Sequence, residues 1–422
     1  MLRHLTQWVE DRLERLNVEF GNPLLNGATI FARISPKWLN GIAHLLIFIF
    51  KEMTFKRYKW NAKPVLICVG SHNNYHSASL AFGNREDIQF ATFHNYYLPN
   101  TPKINLLFCY LSGSFIVLFL PLFFLIIKKP NLRKYMIFRT DQMALSFGSR
   151  WFVRRAIKRS GAQVLILMSN LSVYHNLILE EANRLGVSTI FATHAPVGRG
   201  QRALRTDYAM LDGEWQSSLY PSSNTKFLIT GSARGAELVE RWESRLNYTG
   251  LIIATNTLMI DLNIIEKFIS LLKDRYPLMP ISLRPHPRDV ERHEAHRIIC
   301  ENHSIAYNDP KKPLVQPNDS YKYLATGLSG VMIDALLVGM YPLQISEPQL
   351  DMLLAHTPDD YYGLHELNLV RKIDLNDPVL PTDWLIGDQL VELEKSAQPG
   401  WDSKKLMNEA LDEILRHQNT VR

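Results

Sequence analysis

Short apolar runs that close on a small or polar turn, most followed by a helical stretch, recur along this chain and leave few folds open to it. The runs Pro64 to Val69, Ile88 to Phe93, Tyr135 to Phe138, Val164 to Met168, Ser188 to Ala192, Tyr208 to Leu211 and Lys226 to Thr230 read as buried strands. Helices are predicted at 144–160 and 172–185. From Gly250 the rhythm starts again, with strands at 250–255, 281–283, 305–307, 323–325 and 341–345 and helices at 262–275, 288–302 and 329–338. A charged helix closes the chain at about 403–417. Near-continuous apolar strands alternating with helices indicate parallel sheets covered on both faces. At 422 residues the chain is too long for one core. The expected fold is therefore α/β, with two doubly wound Rossmann-like domains facing a cleft. The expected divisions are a helical, membrane-proximal segment at 1–63, an acceptor-side domain at 64–235, a nucleotide-donor domain at 236–385 and a helical tail at 386–422.

Two stretches of the second domain concentrate the chemistry. Ser282 to Asp289 is a strand end running into a turn stiffened by Pro285 and Pro287, with His286 between Arg284 and Arg288. Some forty residues on, Thr326-Gly327-Leu328-Ser329-Gly330 passes through small residues into a helix carrying Asp334. Open α/β sheets bind ligands beyond the carboxyl ends of their strands, and helix N-termini favour phosphate through free N–H groups and the helix dipole. Two such corners in one domain point to a nucleotide mono- or diphosphate. An imidazole that titrates near neutrality can donate to, or protonate, a leaving phosphate oxygen, which makes His286 the candidate phosphate contact. Arg284 and Arg288 suit bidentate phosphate contact. Thr326, Gly327, Ser329 and Gly330 would cradle the same phosphate, and Asp334 would accept from a ribose hydroxyl. Plainer roles exist for each: a turn histidine, an N-cap serine, a solvated carboxylate.

The general base stays open at this level. His194, at a strand end before a loop containing Arg199, Arg202 and Arg205, is one candidate. Asp212 in Asp212-Gly213-Glu214 is a second, and His72 or His94 a third. The polar turn with His72 and Asn73 and the loop with Arg199 are the expected acceptor-binding parts.

The formal charge of +6 and a pI near 9.0 fit an anionic partner. No nucleic-acid-binding motif is present, so nucleic acid is not expected. Cys68, Cys109 and Cys300 lack ligand spacing and read as free thiols in a reducing compartment, with no metal site. The longest uncharged run, 104–127, is followed by Lys128, Lys129, Arg133 and Lys134. Were it to cross a membrane once, the strand at 64–69 would be separated from every later strand. A re-entrant or interfacial apolar insertion in the first domain is expected instead. The apolar stretch Trp38 to Phe50 and the basic-aromatic residues from Lys51 to Lys63 likewise suit a membrane surface.

Four passages resemble a known group of enzymes. These are Glu180 to Gly198, then Asp207 to Trp215 with Phe227 to Ser232, then Arg284-Pro285-His286-Pro287, and then Thr326-Gly327-Leu328-Ser329 with Asp334. Together, over roughly residues 135–345, they resemble bacterial GT-B type transferases of surface polysaccharide synthesis: sialyltransferases, Kdo transferases and CDP-glycerol glycerophosphotransferases. Two departures stand out. The group's His-Gly loop is here His194-Ala195-Pro196, and its paired serines are Ser329-Gly330. The resemblance implies a metal- and cofactor-independent, inverting glycosyltransferase at the cytoplasmic face of a bacterial inner membrane. Its donor would be a nucleotide-sugar and its acceptor a surface polysaccharide or lipid-linked glycan. A CDP-polyol phosphotransferase of the teichoic-acid type, a nucleotide-sugar 2-epimerase and a non-catalytic membrane scaffold are the alternatives.

Overall fold

The computed structural model describes residues 37–53, 58–93, 96–117, 140–169, 172–221, 223–255, 261–287, 289–316, 319–346, 360–382, 384, 393 and 401–421. The first sheet contains β1 (Val65–Val69), β2 (Ile88–Phe93), β3 (Lys103–Ile104), β4 (Val164–Leu167), β5 (Ser188–Ala192), β6 (Tyr208–Leu211) and β7 (Lys226–Ile229). All seven are parallel, in the order β3-β2-β1-β4-β5-β6-β7. The second sheet contains β8 (Gly250–Ala254), β9 (Ile281–Arg284), β10 (Ala306–Tyr307), β11 (Tyr321–Thr326), β12 (Tyr341–Ser346) and β13 (Arg371–Asp374), parallel in the order β10-β9-β8-β11-β12-β13. Two doubly wound parallel α/β domains are thus what the chain forms. In each, strand order reverses beside the first strand, between β1 and β4 and between β8 and β11, which opens a crevice at the carboxyl ends.

The helices of the first domain are α1 (Lys37–Met53), α2 (His72–Phe82), α3 (Leu107–Val117), α4 (Thr140–Phe147), α5 (Trp151–Ser160), α6 (Val173–Arg184), α7 (Glu214–Ser217) and α8 (Ala233–Val239). Those that follow are α9 (Leu262–Arg275), α10 (His293–Asn302), α11 (Val331–Leu337) and α12 (Ser403–Val421). Alternation along β1 sorts them into layers, because successive side chains of a strand point to opposite faces. Leu66 and Cys68 pack with residues of α1, α3, α4, α5 and α6. Val65, Ile67 and Val69 pack with α2 and with Met407, Leu411 and Ile414 of α12. The C-terminal helix thus returns to the first domain, where the Asn408 side-chain amide donates to the Ala81 carbonyl at 2.9 Å and Arg85 meets Asp412 at 2.7 Å.

Several expectations shift in detail. The single helix expected over 144–160 is two, α4 and α5, broken at Gly148-Ser149-Arg150. The cause is a close helix crossing. A Cβ on Gly148 would lie 1.8 Å from the Cys109 carbonyl oxygen, and one on Gly113 1.8 Å from that of Ala144. The freed Ser149 N–H donates to Ser112 Oγ at 2.7 Å. The expected insertion is divided: Ile104 belongs to β3, Leu106, Cys109 and Tyr110 are core residues, and 118–127 lie outside the described residues. No helix among the described residues is long and apolar enough to cross a membrane. The polar turn at Ser71 to Asn74 is a helix start, with Ser71 Oγ accepting from the Asn74 N–H at 3.2 Å as N-cap. The helix expected at 288–302 begins as a 3-10 turn, Val290–Arg292, before α10. The strand at 135–138, His94 and Arg288 lie outside the described residues.

The first residues of one passage of the resemblance, Glu180 and Glu181, belong to the scaffold. Glu181 is fully buried and takes Arg154 at 2.9 Å and Arg184 at 2.7 Å. Arg150 bonds Glu180 and approaches Glu181 at 3.6 Å. The network locks α5 to α6. The thiols of Cys68, Cys109 and Cys300 are free and buried, and burial raises all three, Cys109 to about 12 and Cys300 to about 11.

Candidate active site

The carboxyl ends of β5, β6 and β7 and the start of α8 meet α11 of the second domain around a cavity of about 30 Å³. Its polar wall is Ser77, Thr193, His194, Asp212, Arg234 and Asp334. That volume matches one water molecule. The two domains are in contact here, with Arg234 Nη2 2.5 Å from Asp334 Oδ2.

Asp212 is the most constrained of these groups. It ends β6, and Gly213 turns the chain into α7, which brings Gln216 back onto it. Gln216 Nε2 donates to Asp212 Oδ2 at 2.9 Å, and the Asp212 N–H donates to Gln216 Oε1 at 2.9 Å. Thr193 Oγ1, at the end of β5, donates to Oδ1. Burial lifts the carboxyl to about 6, against the hydrogen bonds from Thr193 and Gln216 and the charge of Arg234, which pull it down. A desolvated carboxyl titrating near neutrality is suited to accept a proton.

His194 stands half-buried in the same wall. Burial lowers its pKa and Arg234 lowers it further, while a hydrogen bond to the Met168 carbonyl opposes both. Behind it lies His175, at the start of α6 beside the β1/β4 crevice. Its Nδ1 is 2.5 Å from Ser172 Oγ, and its buried Nε2 has no partner among the described residues. Burial, then the nearby His194, depress His175 to about 3, so its ring is neutral at physiological pH.

In the second domain the two expected corners are neighbours. Burial lowers the pKa of Arg284 and raises that of Asp334, and each opposes the shift of the other through its charge. The Arg284 guanidinium is engaged by its own domain: it bonds Asn308 Oδ1 and the carbonyls of Asp309 at 3.0 Å, Pro310 at 3.3 Å and Lys312 at 2.8 Å. His286 is half-buried and does not line the cavity; its carbonyl accepts from the Asp289 N–H at 2.9 Å and lies 3.1 Å from His293 Nε2. Thr326, last in β11 and fully buried, has a hydroxyl without a hydrogen-bond partner among the described residues. Gly327 follows it. Ser329 Oγ accepts from the Val331 N–H at 3.4 Å, and a Cβ on Gly330 would lie 3.3 Å from Pro196 Cγ, so this corner abuts the loop after His194.

The expected acceptor residues are dispersed. His72 and Asn73 are exposed in the first turn of α2, with the His72 ring stacked on His76 at 6.3 Å. Arg199 links the domains: its guanidinium bonds Glu366 and lies 3.7 Å from Asp360, and its N–H donates to the Tyr361 carbonyl at 2.5 Å. Among the described residues, no group of three or more His, Cys, Asp or Glu side chains is arranged to hold a metal ion.

Sequence reasoning missed Arg234, His175 and Gln216. Arg234 follows Ser232, whose Oγ caps α8 by accepting from the Gly235 N–H at 2.8 Å. That cap pattern after a strand was the available signal. The charged stretch from 233 to 249 concealed it by reading as a domain boundary.

No family model matches the sequence, and no curated protein matches it. Among solved structures, the chain is similar to Acinetobacter baumannii MurG, with a TM-score of 0.48 at 10% identity over 84% of this chain and 100% of that one. It is similar to the wall teichoic acid polymerase TagF, with a TM-score of 0.43 at 12% identity over 91% and 97%. It is also similar to the UDP-GlcNAc 2-epimerase from Neisseria meningitidis, solved bound to UDP-GlcNAc, with a TM-score of 0.42 at 11% identity over 83% and 99%.

Proposed function

We propose that the chain is a GT-B type glycosyltransferase that moves a sugar from a nucleotide-activated donor to a hydroxyl of a surface polysaccharide or lipid-linked acceptor, by inversion and without a metal. The observation that carries this reading is Asp212: a buried carboxyl lifted to about 6, at a strand end facing the other domain. In this reading Asp212 takes the proton of the acceptor hydroxyl as its oxygen bonds to the sugar carbon. The bond from that carbon to the nucleotide phosphate breaks in the same displacement. Thr193 and Gln216 hold the carboxylate in place, and His194 orients the acceptor.

The donor phosphates belong at the crevice between β8 and β11. There the Thr326 hydroxyl and the N–H groups from Gly327 to Gly330 would face them, with His286 donating to a leaving oxygen. A pocket for a ligand of this size has about 300 Å³ or more, ten times the cavity present here. Entry therefore requires the domains to part, breaking the Arg234–Asp334 contact and freeing both side chains for substrate.

The test is a thermal-shift screen of the full chain against CMP, CDP and UDP. Stabilisation by at least one supports the reading, and no shift at millimolar nucleotide contradicts it.

A further inference from the structure

Sixteen large apolar side chains stand exposed among the described residues, and nine of them lie on three helices of the first domain. On α1 they are Leu46, Ile47, Phe50 and Met53; on α3, Phe108, Leu111 and Phe115; on α5, Trp151 and Phe152. Positions 46, 50 and 53, and 108, 111 and 115, repeat at helical spacing, so each helix carries an outward apolar stripe. The opposite sides of the same helices are core: Leu45, Cys109, Tyr110, Val153 and Ile157 are buried. These helices are apolar on both sides although they lie at the surface of the domain. The stripes of α3 and α5 join, since the Phe108 and Phe152 rings meet at 5.4 Å, and α1 packs against α3, with the Phe48 and Tyr110 rings 6.0 Å apart.

Two features say what covers this face. The first is charge. Lys51, Arg155, Lys158 and Arg159 are exposed on these helices, and the Arg155 guanidinium lies over the Trp151 ring at 4.9 Å. The three helices carry one carboxylate, Glu52, which is buried and paired with Lys103 at 2.6 Å. The second is hydroxyl satisfaction. Ser112 and Ser114 of α3 donate to the carbonyls of Phe108 at 2.5 Å and Tyr110 at 2.6 Å, one turn back, so neither needs water.

We infer that the joined apolar face of α1, α3 and α5 docks on an anionic lipid bilayer, with Trp151, Phe152, Phe108 and Phe115 in the headgroup layer and Arg155, Lys158 and Arg159 on acidic lipid phosphates. Interleaved aromatic and cationic side chains without exposed acid match that layer and not an aqueous or acidic-protein neighbour. The orientation has a consequence. Phe108 opens the helix after β3, and Trp151 opens the helix leading back to β4, so both sit at the carboxyl-end side of the first sheet. That is the side on which Thr193, His194 and Asp212 lie, so a docked molecule holds its cleft close to the bilayer.

The experiment is co-sedimentation of the full chain with phosphatidylcholine vesicles, with and without about one-third phosphatidylglycerol. A variant combining Leu46→Ser, Phe50→Ser, Phe115→Ser and Trp151→Ser is compared with Leu278→Ser, which changes the most exposed apolar side chain of the second domain, 95% exposed. Circular dichroism melting confirms that both remain folded. The expected result is that wild type and Leu278→Ser bind the acidic vesicles, that the fourfold variant loses at least about tenfold in binding, and that Arg155→Glu with Lys158→Glu removes the preference for acidic lipid. Equal binding by the fourfold variant overturns the inference, as does failure of wild type to bind either vesicle. So does a wild-type dimer that binds no vesicle and that the fourfold variant converts to monomer, because a second copy of the chain would then be the occupant.

Discussion

The two sides of the cleft are built from different materials. On the first-domain side the candidate groups are side chains in perturbed states: Asp212 raised to about 6, His194 lowered, and His175 at about 3, with Asp212 held by Thr193 and Gln216 and His175 by Ser172. On the second-domain side the most conspicuous side chain, Arg284, is engaged by the 308–312 loop, and the chain beside the β8/β11 crevice is a strand end at Thr326, a run of small residues and a helix start. Proton transfer needs a side chain with a tuned pKa, whereas a phosphate is held well by backbone N–H groups. Under the proposed function, the contrast places proton transfer on the first domain and donor binding on the second.

The largest expected effect separates those roles. Asp212→Asn should lower transfer by about 10²- to 10⁴-fold while leaving nucleotide affinity unchanged, as measured by turnover with an identified donor alongside titration calorimetry. A smaller effect comes from Arg284→Ala, which removes the donor to the Asp309, Pro310 and Lys312 carbonyls and should cost about 1–2 kcal/mol in urea unfolding, with little rescue by lysine. Were Arg284 chiefly a phosphate ligand, stability would hold and affinity would fall.

The same Asp212 carries a pH signature in stability. Its folded pKa of about 6 lies above the ordinary value of 3.8, so the proton it binds on folding stabilises the native state fully below about pH 4, and this is lost as pH rises through about 6. Relative to Asp212→Asn, wild type should lose up to about 3 kcal/mol between those limits, as read by denaturation at several pH values. The smallest shift is expected from Arg234→Gln. It removes a cation that holds the Asp212 pKa down, so the acid limb of the rate profile should move to higher pH by less than about one unit.

Much of this was legible in the sequence because it is local. Apolar runs gave the strands, and their alternation with helices gave two parallel sheets. The strand-end positions of His194, Asp212 and Thr326 followed from the same rhythm. What was not legible depends on contacts far apart along the chain. Arg234 meets Asp334 across a hundred residues, and neither neighbourhood signals the other. The break between α4 and α5 is set by Gly113 and Gly148 closing against another helix. The commitment of Arg284 depends on the path of a loop more than twenty residues later. Arg199, expected on an acceptor, is held by Glu366 and Asp360 for the same reason.

The division of labour is tested most directly by titrating the stabilising nucleotide into wild type, Thr326→Val and Asp212→Asn by calorimetry. Thr326→Val removes a buried hydroxyl that has no partner among the described residues, so the fold should be unharmed. The account predicts about five- to tenfold weaker nucleotide binding for Thr326→Val and wild-type affinity for Asp212→Asn. Unchanged affinity in Thr326→Val together with lost affinity in Asp212→Asn would contradict it, placing the nucleotide against the first domain.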